Sequence, residues 1–396
     1  MRIAIFTEVF TPQISGISSY VEVLKKGLEK LNHRVLIITS SLHTRKAIFK
    51  NGVIRCPAKK CGNKYGYECK NINDKKTIDF IKSFKPDIIH IQTDTKIGYM
   101  GLNIADKINK PVIFTIHDFY ADRFASNESK LVWSIKTQIE KQHFKDMIDN
   151  ADILTSSCRR ASSFVQSTGR NRKVVLIPTS TDTARFDYRK STPDSAMKMR
   201  KKLGLAKDST VAVFAGHLTV AKNLEFVFSA VSRYITEYDK IQFLIVGQGS
   251  ELSYLQSLAN KLGIGSMVFF TGAVAHSIMP EIYSACNVYI CSYDDGLMSM
   301  SFTEAIACGL PVLIKEDNEK YVYHMIENGL NGFVYTKRSE FAQYLKKLSD
   351  INDDQRDKIR QIVRNTLPKK STAAMAEKYI RVYQKAVKSR ERKHFR

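Results

Sequence analysis

Short apolar runs alternate with helical segments along most of the chain, and this alternation limits the folds that the chain can adopt. Residues 2–8 and 35–38 have the composition of buried strands, and residues 20–31 between them carry apolar side chains at helical spacing. A strand, a helix and a second strand at this spacing form a parallel crossover unit. The pattern therefore predicts an α/β protein built on parallel sheets.

The alternation stops once, near the middle of the chain, and then resumes. Residues 179–195, TSTDTARFDYRKSTPDS, lack apolar periodicity, and strand-like and helical segments follow again from Val211. A chain of 396 residues is long enough to form two cores. We therefore predict two Rossmann-like domains, over residues 1–185 and 186–372, with the linker in 179–195 and a helical C-terminus.

The charge of the chain limits the partners that it can have. A net charge of +23 at pH 7 favours an anionic partner, such as a membrane surface, a nucleic acid or a phosphorylated substrate. A lysine-rich composition without any specific partner would give the same value. The basic residues do not form a recognisable nucleic-acid-binding module, so we expect no nucleic acid.

The lengths of the apolar runs and the number of cysteines indicate the cellular compartment of the protein. No run has the length that spans a bilayer, and the first ten residues, MRIAIFTEVF, have the pattern of a strand rather than of a secretion signal. We expect a cytoplasmic protein with peripheral contact to the inner membrane face. Seven cysteines, an odd number, are typical of free thiols. The spacing of Cys56, Cys61 and Cys69 is not that of a zinc site, so we expect no metal.

The segment 292–311, SYDDGLMSMSFTEAIACGLP, has the features of an anion site. It follows a strand-like run that ends at Cys291 and leads into a helix expected over 302–308. The first amides of a helix lack internal partners, and the helix dipole favours negative charge beside them. The candidate residues here are Asp294, Asp295, Ser299, Met300 and Ser301.

Glu304 has two interpretations. In the first turn of the expected helix, its carboxylate can accept hydrogen bonds from the hydroxyls of a ligand. Alternatively, Ser301 and Glu304 form a capping box, in which each side chain binds a backbone amide of the other. Spacing alone favours the cap.

The loop GHLTVAKN, residues 216–223, is a second candidate site. It lies between a strand-like run and a helix, where Gly216 allows close approach to a ligand. Lys222, just before the helix, can pair with a diphosphate together with the helix amides. The simpler alternative is an ordinary strand–helix loop with an exposed lysine.

The first half carries weaker signals, and residues 43–70 within it are basic, irregular and cysteine-containing. Gly16 lies in a loop, expected over 10–19, at the carboxyl end of the first strand, where α/β sheets bind ligands. His117 ends another strand and is followed by acidic residues. Residues 123–148 combine Trp133, four lysines and apolar residues at helical spacing, which fits either a membrane-surface helix or an ordinary helix with a basic face.

The run Glu304-Ala-Ile-Ala-Cys-Gly-Leu-Pro-Val312 resembles the donor-binding motif of retaining family-four glycosyltransferases, which have the GT-B fold. The loop 216–223 resembles that family's Gly-Arg-Leu…Lys-Asn motif, and Gly272 lies in a third similar segment. The sequence departs from the family pattern at three positions: Gly296 replaces a glutamate, His217 an arginine, and Ala221 an acid.

The resemblance implies a fold and a reaction. The two domains should face a cleft, and a final helix, 373–396, should cross back to the first domain. His117 and its neighbours are similar to the corresponding segment of lipid-glucosylating members. Together these features imply transfer of a hexose, expected to be glucose, from a UDP-sugar to a membrane lipid such as diacylglycerol. Family members retain the stereochemistry of the sugar and need no metal for the chemistry.

The resemblance also implies roles for the candidate residues. Lys222 should be the main cation on the leaving diphosphate, with His217 in support. Glu304 should bind the ribose hydroxyls, and His117 should contact the transferred sugar. Asp294 or Asp295 should replace the missing glutamate at the sugar hydroxyls. The remaining donor contacts are expected from Gly16, Asn223, Gly272, Ser299, Met300 and Ser301.

Two alternatives remain open at the level of sequence. The three departures lie on the donor side, so the chain could be a degenerate paralogue that acts as a non-catalytic binding or regulatory subunit. It could also be a transferase with a soluble acceptor that builds a cell-surface polysaccharide. The sequence leaves the sugar, the base, the acceptor and the oligomeric state open.

Overall fold

The computed structural model describes residues 1–13, 15–61, 65–117, 130–158, 160–235, 240–292, 299–316, 326–367 and 371–394, and the side chains of the long helix at 130–150 from residue 138 onward. The chain divides into two compact units. The first comprises Met1–Thr179 with Thr372–Arg396, and the second comprises Ser180–Ser371. The first boundary thus lies six residues before the predicted position 185, and the last segment of the chain belongs to the first unit.

The first unit contains one twisted sheet. Its strands are β1 (Arg2–Thr7), β2 (Arg34–Ser41), β3 (Ile48–Lys50), β4 (Val53–Lys60), β5 (Tyr67–Cys69), β6 (Ile88–Ile91), β7 (Val112–Ile116), β8 (Ile153–Ser156) and β9 (Val174–Leu176). Their order is β3-β4-β2-β1-β6-β7-β8-β9, with β5 also paired to β4. Among these strand pairs, only β3–β4 and β4–β5 are antiparallel. The strand order reverses between β1 and β6, so a ligand-binding crevice is expected at that carboxyl edge.

The helices of the first unit cover this sheet. They are α1 (Gly16–Lys30), α2 (Lys75–Ser83), α3 (Lys96–Lys107), α4 (Lys130–Asn150) and α5 (Arg160–Ser167), followed at the end of the chain by α13 (Ser371–His394). Buried apolar residues on the inner strands, such as Ile5 and Ile89, form the core beneath them. Parallel strands covered on both faces have this uniformly apolar composition.

Two local predictions in the first unit are wrong. Residues 10–19 are not all loop, because α1 begins at Gly16, where the Ser15 side chain accepts the Ile17 amide as an N-cap. Residues 43–70 are not irregular, because they include β3, β4 and β5. Alternation in β4 supplies the reason: Ile54, Cys56 and Ala58 are buried while the residues between them are only partly covered. Lysines and Pro57 in this segment obscured that pattern.

The last helix, α13, packs into the first unit as expected. Tyr379 and Tyr383 are fully buried there. Gly27 on α1 permits the approach, since a Cβ at this position would lie 2.8 Å from the Thr372 carbonyl oxygen and 2.9 Å from Ala376 Cβ. Any larger residue at Gly27 would push α1 and α13 apart.

The second unit contains a six-stranded parallel sheet in the described residues. The strands are β10 (Thr210–Ala215), β11 (Ile241–Val246), β12 (Val268–Gly272), β13 (Val288–Cys291), β14 (Val312–Lys315) and β15 (Gly332–Tyr335), in the order β12-β11-β10-β13-β14-β15. The helices are α6 (Pro193–Lys202), α7 (Leu224–Tyr234), α8 (Leu252–Lys261), α9 (Met279–Ser284), α10 (Met300–Ala307), α11 (Arg338–Ser349) and α12 (Asp353–Asn365). Each unit is therefore Rossmann-like.

The predicted linker at 179–195 belongs largely to the second unit. Phe186 is 1% exposed and lies in that unit's core, and α6 begins at Pro193. Arg364 on α12 donates hydrogen bonds to the carbonyl oxygens of Thr183 and Phe186 and to the Asp187 carboxylate. A segment without periodicity is therefore ordered here by backbone contacts to one arginine, which the sequence pattern does not reveal.

No helix in the described part of the chain has both the length and the apolar composition needed to cross a bilayer.

Candidate active site

Three loops of the second unit interlock at the carboxyl edge of its sheet. The Gly216 amide donates to the Val246 carbonyl oxygen at 3.0 Å, and the Gly247 amide donates to the Gly272 carbonyl oxygen at 2.9 Å. The strand order reverses nearby, between β10 and β13, which is where open α/β sheets bind their ligands. The loop predicted to bind a diphosphate is therefore held at the position that the topology favours.

Two glycines make this interlocking possible. A Cβ on Gly247 would lie 1.8 Å from the Gly216 carbonyl oxygen, and one on Gly249 would lie 2.1 Å from the Leu218 carbonyl oxygen. Neither distance is compatible with a side chain, because the opposing atoms are backbone. The glycines of this edge thus serve loop-to-loop packing, and Gly272, with φ of 68°, has the left-handed backbone that favours glycine.

Lys222 and Asn223 lie at the junction between the β10 loop and α7. Lys222 ends a short 3-10 turn, Val220–Lys222, and Asn223 has φ of 50°, a left-handed conformation that asparagine tolerates better than most residues. The Ser292 hydroxyl donates to the Lys222 carbonyl oxygen at 2.6 Å. Since Ser292 directly follows β13, this bond ties the lysine loop to the second candidate segment.

The start of α10 differs from the capping box considered above. Ser299 is the N-cap and its hydroxyl accepts the Phe302 amide, while α10 begins at Met300 rather than 302. The Ser301 hydroxyl is paired with the Tyr289 hydroxyl at 2.9 Å. Glu304 therefore lies in the second turn of the helix, and the capping-box interpretation of Ser301 and Glu304 is wrong.

Glu304 instead binds a histidine. Its Oε1 lies 2.7 Å from His276 Nε2, and the carboxylate is almost completely buried, whereas His276 remains partly exposed. Arg185 donates to the His276 carbonyl oxygen at 2.5 Å and lies 3.5 Å from His276 Nδ1. An arginine can only donate, so Nδ1 is the accepting nitrogen and Nε2 carries the proton that Glu304 accepts.

The remaining predicted residues are distributed between the units. His217 is exposed at the carboxyl edge of the second sheet, and Met300 is buried in α10. Gly16 and His117 belong to the first unit, where a Cβ on Gly16 would meet no described atom within 4 Å. The predictions for Asp294 and Asp295, like the departure at Gly296, lie outside the described residues.

His117 follows β7 and is held from two sides. Its Nε2 lies 2.6 Å from Gln92 Oε1, and the Tyr20 ring packs edge-on against it with centroids 4.7 Å apart. Gln92 follows β6, so both side chains extend from the carboxyl edge of the first sheet. Burial lowers the pKa of the neighbouring His90 to about 3, which keeps that imidazole neutral.

Sequence reasoning missed His276, Arg185 and Gln92. No spacing rule connects His276 or Arg185 to Glu304, since the three come from separate segments of the chain. Gln92 had a usable signal, because it directly follows a buried strand at the carboxyl edge. Among the described residues, no group of three His, Cys, Asp or Glu side chains could hold a metal ion.

Solved structures with the same architecture identify the fold. The Anabaena protein HepE in complex with UDP-glucose superposes with a TM-score of 0.71 at 16% identity, over 97% of this chain and 100% of that chain. WaaG, a glycosyltransferase involved in lipopolysaccharide biosynthesis, superposes with a TM-score of 0.66 at 15% identity over 96% of this chain and 99% of that chain. Two Rossmann-like units with these neighbours define a GT-B glycosyltransferase fold.

Sequence comparisons identify the glycosyltransferase family to which the chain is similar. The model "Glycosyltransferase Family 4" matches residues 14–185, and the model "Glycosyl transferases group 1" matches residues 195–366. The alpha-monoglucosyldiacylglycerol synthase of Acholeplasma laidlawii is 25% identical over 87% of this chain and 87% of its own length. The enzyme of the same name from Streptococcus pneumoniae is 25% identical over 86% of this chain and 77% of its own length. The chain belongs to the family-four glycosyltransferases and is a nucleotide-sugar-dependent hexosyltransferase.

Proposed function

We propose that this protein transfers glucose from UDP-glucose to a membrane lipid acceptor such as diacylglycerol, at the inner face of the cell membrane. The observation that carries the donor side is the bond between Ser292 and the Lys222 carbonyl, which brings both candidate donor segments to one edge of the sheet. The acceptor is supported by the two relatives above, which are named as monoglucosyldiacylglycerol synthases. UDP-glucose as donor is supported by the HepE complex with that sugar nucleotide, and the two relatives' names support glucose as the transferred sugar.

The proposed chemistry depends on charge that develops on the leaving diphosphate. As the glycosidic bond breaks, negative charge grows on the phosphate oxygens, and preorganised cations stabilise that transition state more than the ground state. We assign this role to the Lys222 ammonium, aided by His217 and by the amides near Ser299–Ser301. Asn223 and Gly272 complete the contacts to the donor. Retention of the sugar's stereochemistry is part of the proposal.

The transferred sugar requires its own contacts. We assign His117 and the start of α1 at Gly16, in the first unit, to the sugar and to the acceptor side. Asp295, with Asp294, is assigned to the sugar hydroxyls, where it would replace the glutamate that Gly296 lacks. Glu304 is assigned to the ribose. Because its Oε1 already binds His276, we assign His276 to the same ribose region, where it is the more exposed partner.

A transfer assay tests the reaction. Purified protein is incubated with radiolabelled UDP-glucose and vesicles that contain diacylglycerol, and labelled lipid is extracted and counted. We expect labelled glycolipid from UDP-glucose, little from GDP-mannose, and no loss of rate with a chelator, because the proposed catalysis needs no metal. Transfer only to a soluble saccharide acceptor would overturn the lipid part of the proposal and favour polysaccharide synthesis. Absence of both transfer and donor binding would favour the non-catalytic alternative.

A sedimentation assay tests the proposed location separately. The chain carries a net charge of +23, so binding to vesicles with anionic lipid should be strong at low salt and weak at high salt. Neutral vesicles serve as the control. Equal binding to neutral and anionic vesicles, or none to either, would contradict electrostatic membrane association.

A further inference from the structure

The core of the first unit contains a connected set of polar side chains around His117. Its buried members include His90 on β6, Gln92 directly after β6, Thr115 on β7, and Tyr379 and Tyr383 on α13. Buried polar groups are costly unless they are paired, and here each is hydrogen-bonded to another. Phenylalanine or leucine would fill the same space at lower cost, so the polar character of this set needs an explanation beyond packing.

The first arm of the set runs from His117 to Tyr383. His117 Nε2 lies 2.6 Å from Gln92 Oε1, and Gln92 Nε2 lies 2.8 Å from His90 Nε2. His90 Nδ1 in turn lies 2.8 Å from the Tyr383 hydroxyl. The three bonds form a continuous path from the end of β7 to α13.

The donors and acceptors along this path are determined by two chemical facts. His90 is neutral because burial lowers its pKa to about 3, so it carries a single N–H. The Gln92 amide nitrogen can only donate, so His90 Nε2 accepts and His90 Nδ1–H donates to Tyr383. The Gln92 amide oxygen can only accept, so His117 must donate from Nε2. When the His117 imidazole is neutral, its Nδ1 therefore carries the lone pair.

The second arm runs through Tyr20. Its ring packs edge-on against the His117 ring, and its hydroxyl lies 2.7 Å from the Tyr379 hydroxyl. The Tyr379 hydroxyl also lies 3.1 Å from Thr115 Oγ1, which itself lies 2.7 Å from His90 Nε2. Tyr379 and Tyr383 are four residues apart on one helix, so both arms end on the same face of α13.

We propose that Tyr379 and Tyr383 are positioning residues for His117: Tyr379 holds the orientation of its ring through Tyr20, and Tyr383 holds its Nε2–H tautomer through His90 and Gln92. The terminal helix is thus part of the support of the sugar-contacting histidine as well as of the core. The catalytic consequence rests on the proposed function, in which His117 contacts the transferred sugar. The tautomer itself can be measured without any substrate.

The test uses full-length protein labelled with ¹⁵N-histidine and long-range ¹H–¹⁵N correlation spectra at neutral pH. His117 is assigned with His117→Gln. We expect the Nε2–H tautomer in the wild-type protein, and exchange between both tautomers in Gln92→Leu and Tyr383→Phe. Tyr99→Phe is the matched control, because it removes a hydroxyl bonded to Asp146 in the same unit but outside this set. Gln92→Glu keeps an acceptor for His117 and should preserve protonation at Nε2.

Two spectroscopic results would overturn the proposal. One is an Nδ1–H tautomer in the wild type, which would mean that the Gln92 amide is reversed and donates to His117. The other is an unchanged His117 spectrum in both Gln92→Leu and Tyr383→Phe. If either variant fails to fold, the other supplies the same comparison along the first arm, and Tyr379→Phe, which acts through ring packing, should leave the tautomer unchanged while shifting the His117 ring signals.

Kinetics supply an independent readout. Tyr383→Phe should lower kcat by about tenfold with an unchanged KM for the donor, the effect of losing one supporting hydrogen bond. Tyr99→Phe should leave both values unchanged. If the wild type shows the predicted tautomer but transfers no sugar, the proposed function fails while the positioning network stands. A changed KM with unchanged kcat would contradict positioning of His117.

Discussion

The two candidate half-sites, one in each unit, are stabilised by different kinds of contact. At the carboxyl edge of the second sheet, loops are held to one another through backbone bonds and through glycines that tolerate no side chain, as at Gly247 and Gly249. Around His117 in the first unit, side chains hold one another, and several of them come from distant parts of the chain. A backbone-built site leaves a sequence motif, whereas a side-chain-built site does not.

The largest effect is expected at the backbone-built edge. Lys222→Ala should lower kcat for sugar transfer by about 100- to 1,000-fold, the range seen when one preorganised group on developing charge is removed. Steady-state kinetics with saturating donor measure it. Lys261→Ala, at the exposed end of α8, is the matched control and should have no effect. A comparable loss in both variants, or in neither, would break the comparison between the two half-sites.

The next effect concerns the stability of the first unit in acid, which depends on His90. His90 has a folded pKa of about 3, well below its ordinary value of 6.5, so the unfolded chain takes up a proton first as pH falls. The stability that the neutral His90 contributes is therefore complete above pH 6.5 and is lost as pH falls toward 3, by at most about 1.4 kcal/mol per pH unit. His90→Gln should flatten this dependence.

Urea unfolding between pH 7 and pH 4 measures that slope. Tryptophan fluorescence follows the first unit, because Trp133 is the chain's single tryptophan and lies within it. An equal slope in the wild type and in His90→Gln would show that His90 is not held neutral in the folded core.

A moderate effect is expected at Glu304. Glu304→Ala and His276→Ala should each raise the donor KM by about tenfold, and the double variant should be little worse than either one, because each single change removes the hydrogen bond that the two side chains share. Donor kinetics on the four proteins give the coupling. Fully additive effects would mean that Glu304 and His276 act on the donor independently.

The smallest effect concerns a buried acid. Glu8, at the carboxyl end of β1, is fully buried, with the Ser40 and Thr95 side chains close to its carboxylate but no well-aligned hydrogen bond to either oxygen within the described residues. Burial raises its pKa, so its contribution is most favourable below pH 4.5 and is lost as pH rises toward the folded value. Glu8→Gln should therefore stabilise the first unit by about 1 kcal/mol near neutral pH and less in acid. Destabilisation at pH 7 would show that the carboxylate has a partner in solution.

The same contrast explains what the sequence predicted. Apolar runs and turns predicted both sheets and most helices, because burial on a parallel sheet requires continuous apolar strands. The motif around Lys222 and Glu304 predicted the edge of the second sheet at which we propose that the donor binds. The partner of Glu304 was not predictable, because His276, in the short 3-10 turn before α9, meets it only once the second unit has folded. Spacing alone favoured a capping box there, and the fold placed the cap at Ser299 instead.

The first unit shows the opposite balance. His117 was singled out by its position after a strand, but nothing in the sequence connects it to Tyr379 or Tyr383, more than 250 residues away. Only the return of α13 to the first unit brings them together. Polar residues in a segment with helical periodicity look like a solvated face until that packing is known.

The central claim is that the carboxyl edge of the second sheet binds the donor's diphosphate. Isothermal titration of UDP into the wild-type protein, Lys222→Ala and Lys261→Ala tests it without any acceptor or membrane. We predict one site per chain in the wild type, an affinity at least tenfold weaker in Lys222→Ala, and an unchanged affinity in Lys261→Ala. Equal affinity in all three proteins, or no binding of UDP to any of them, would contradict the claim.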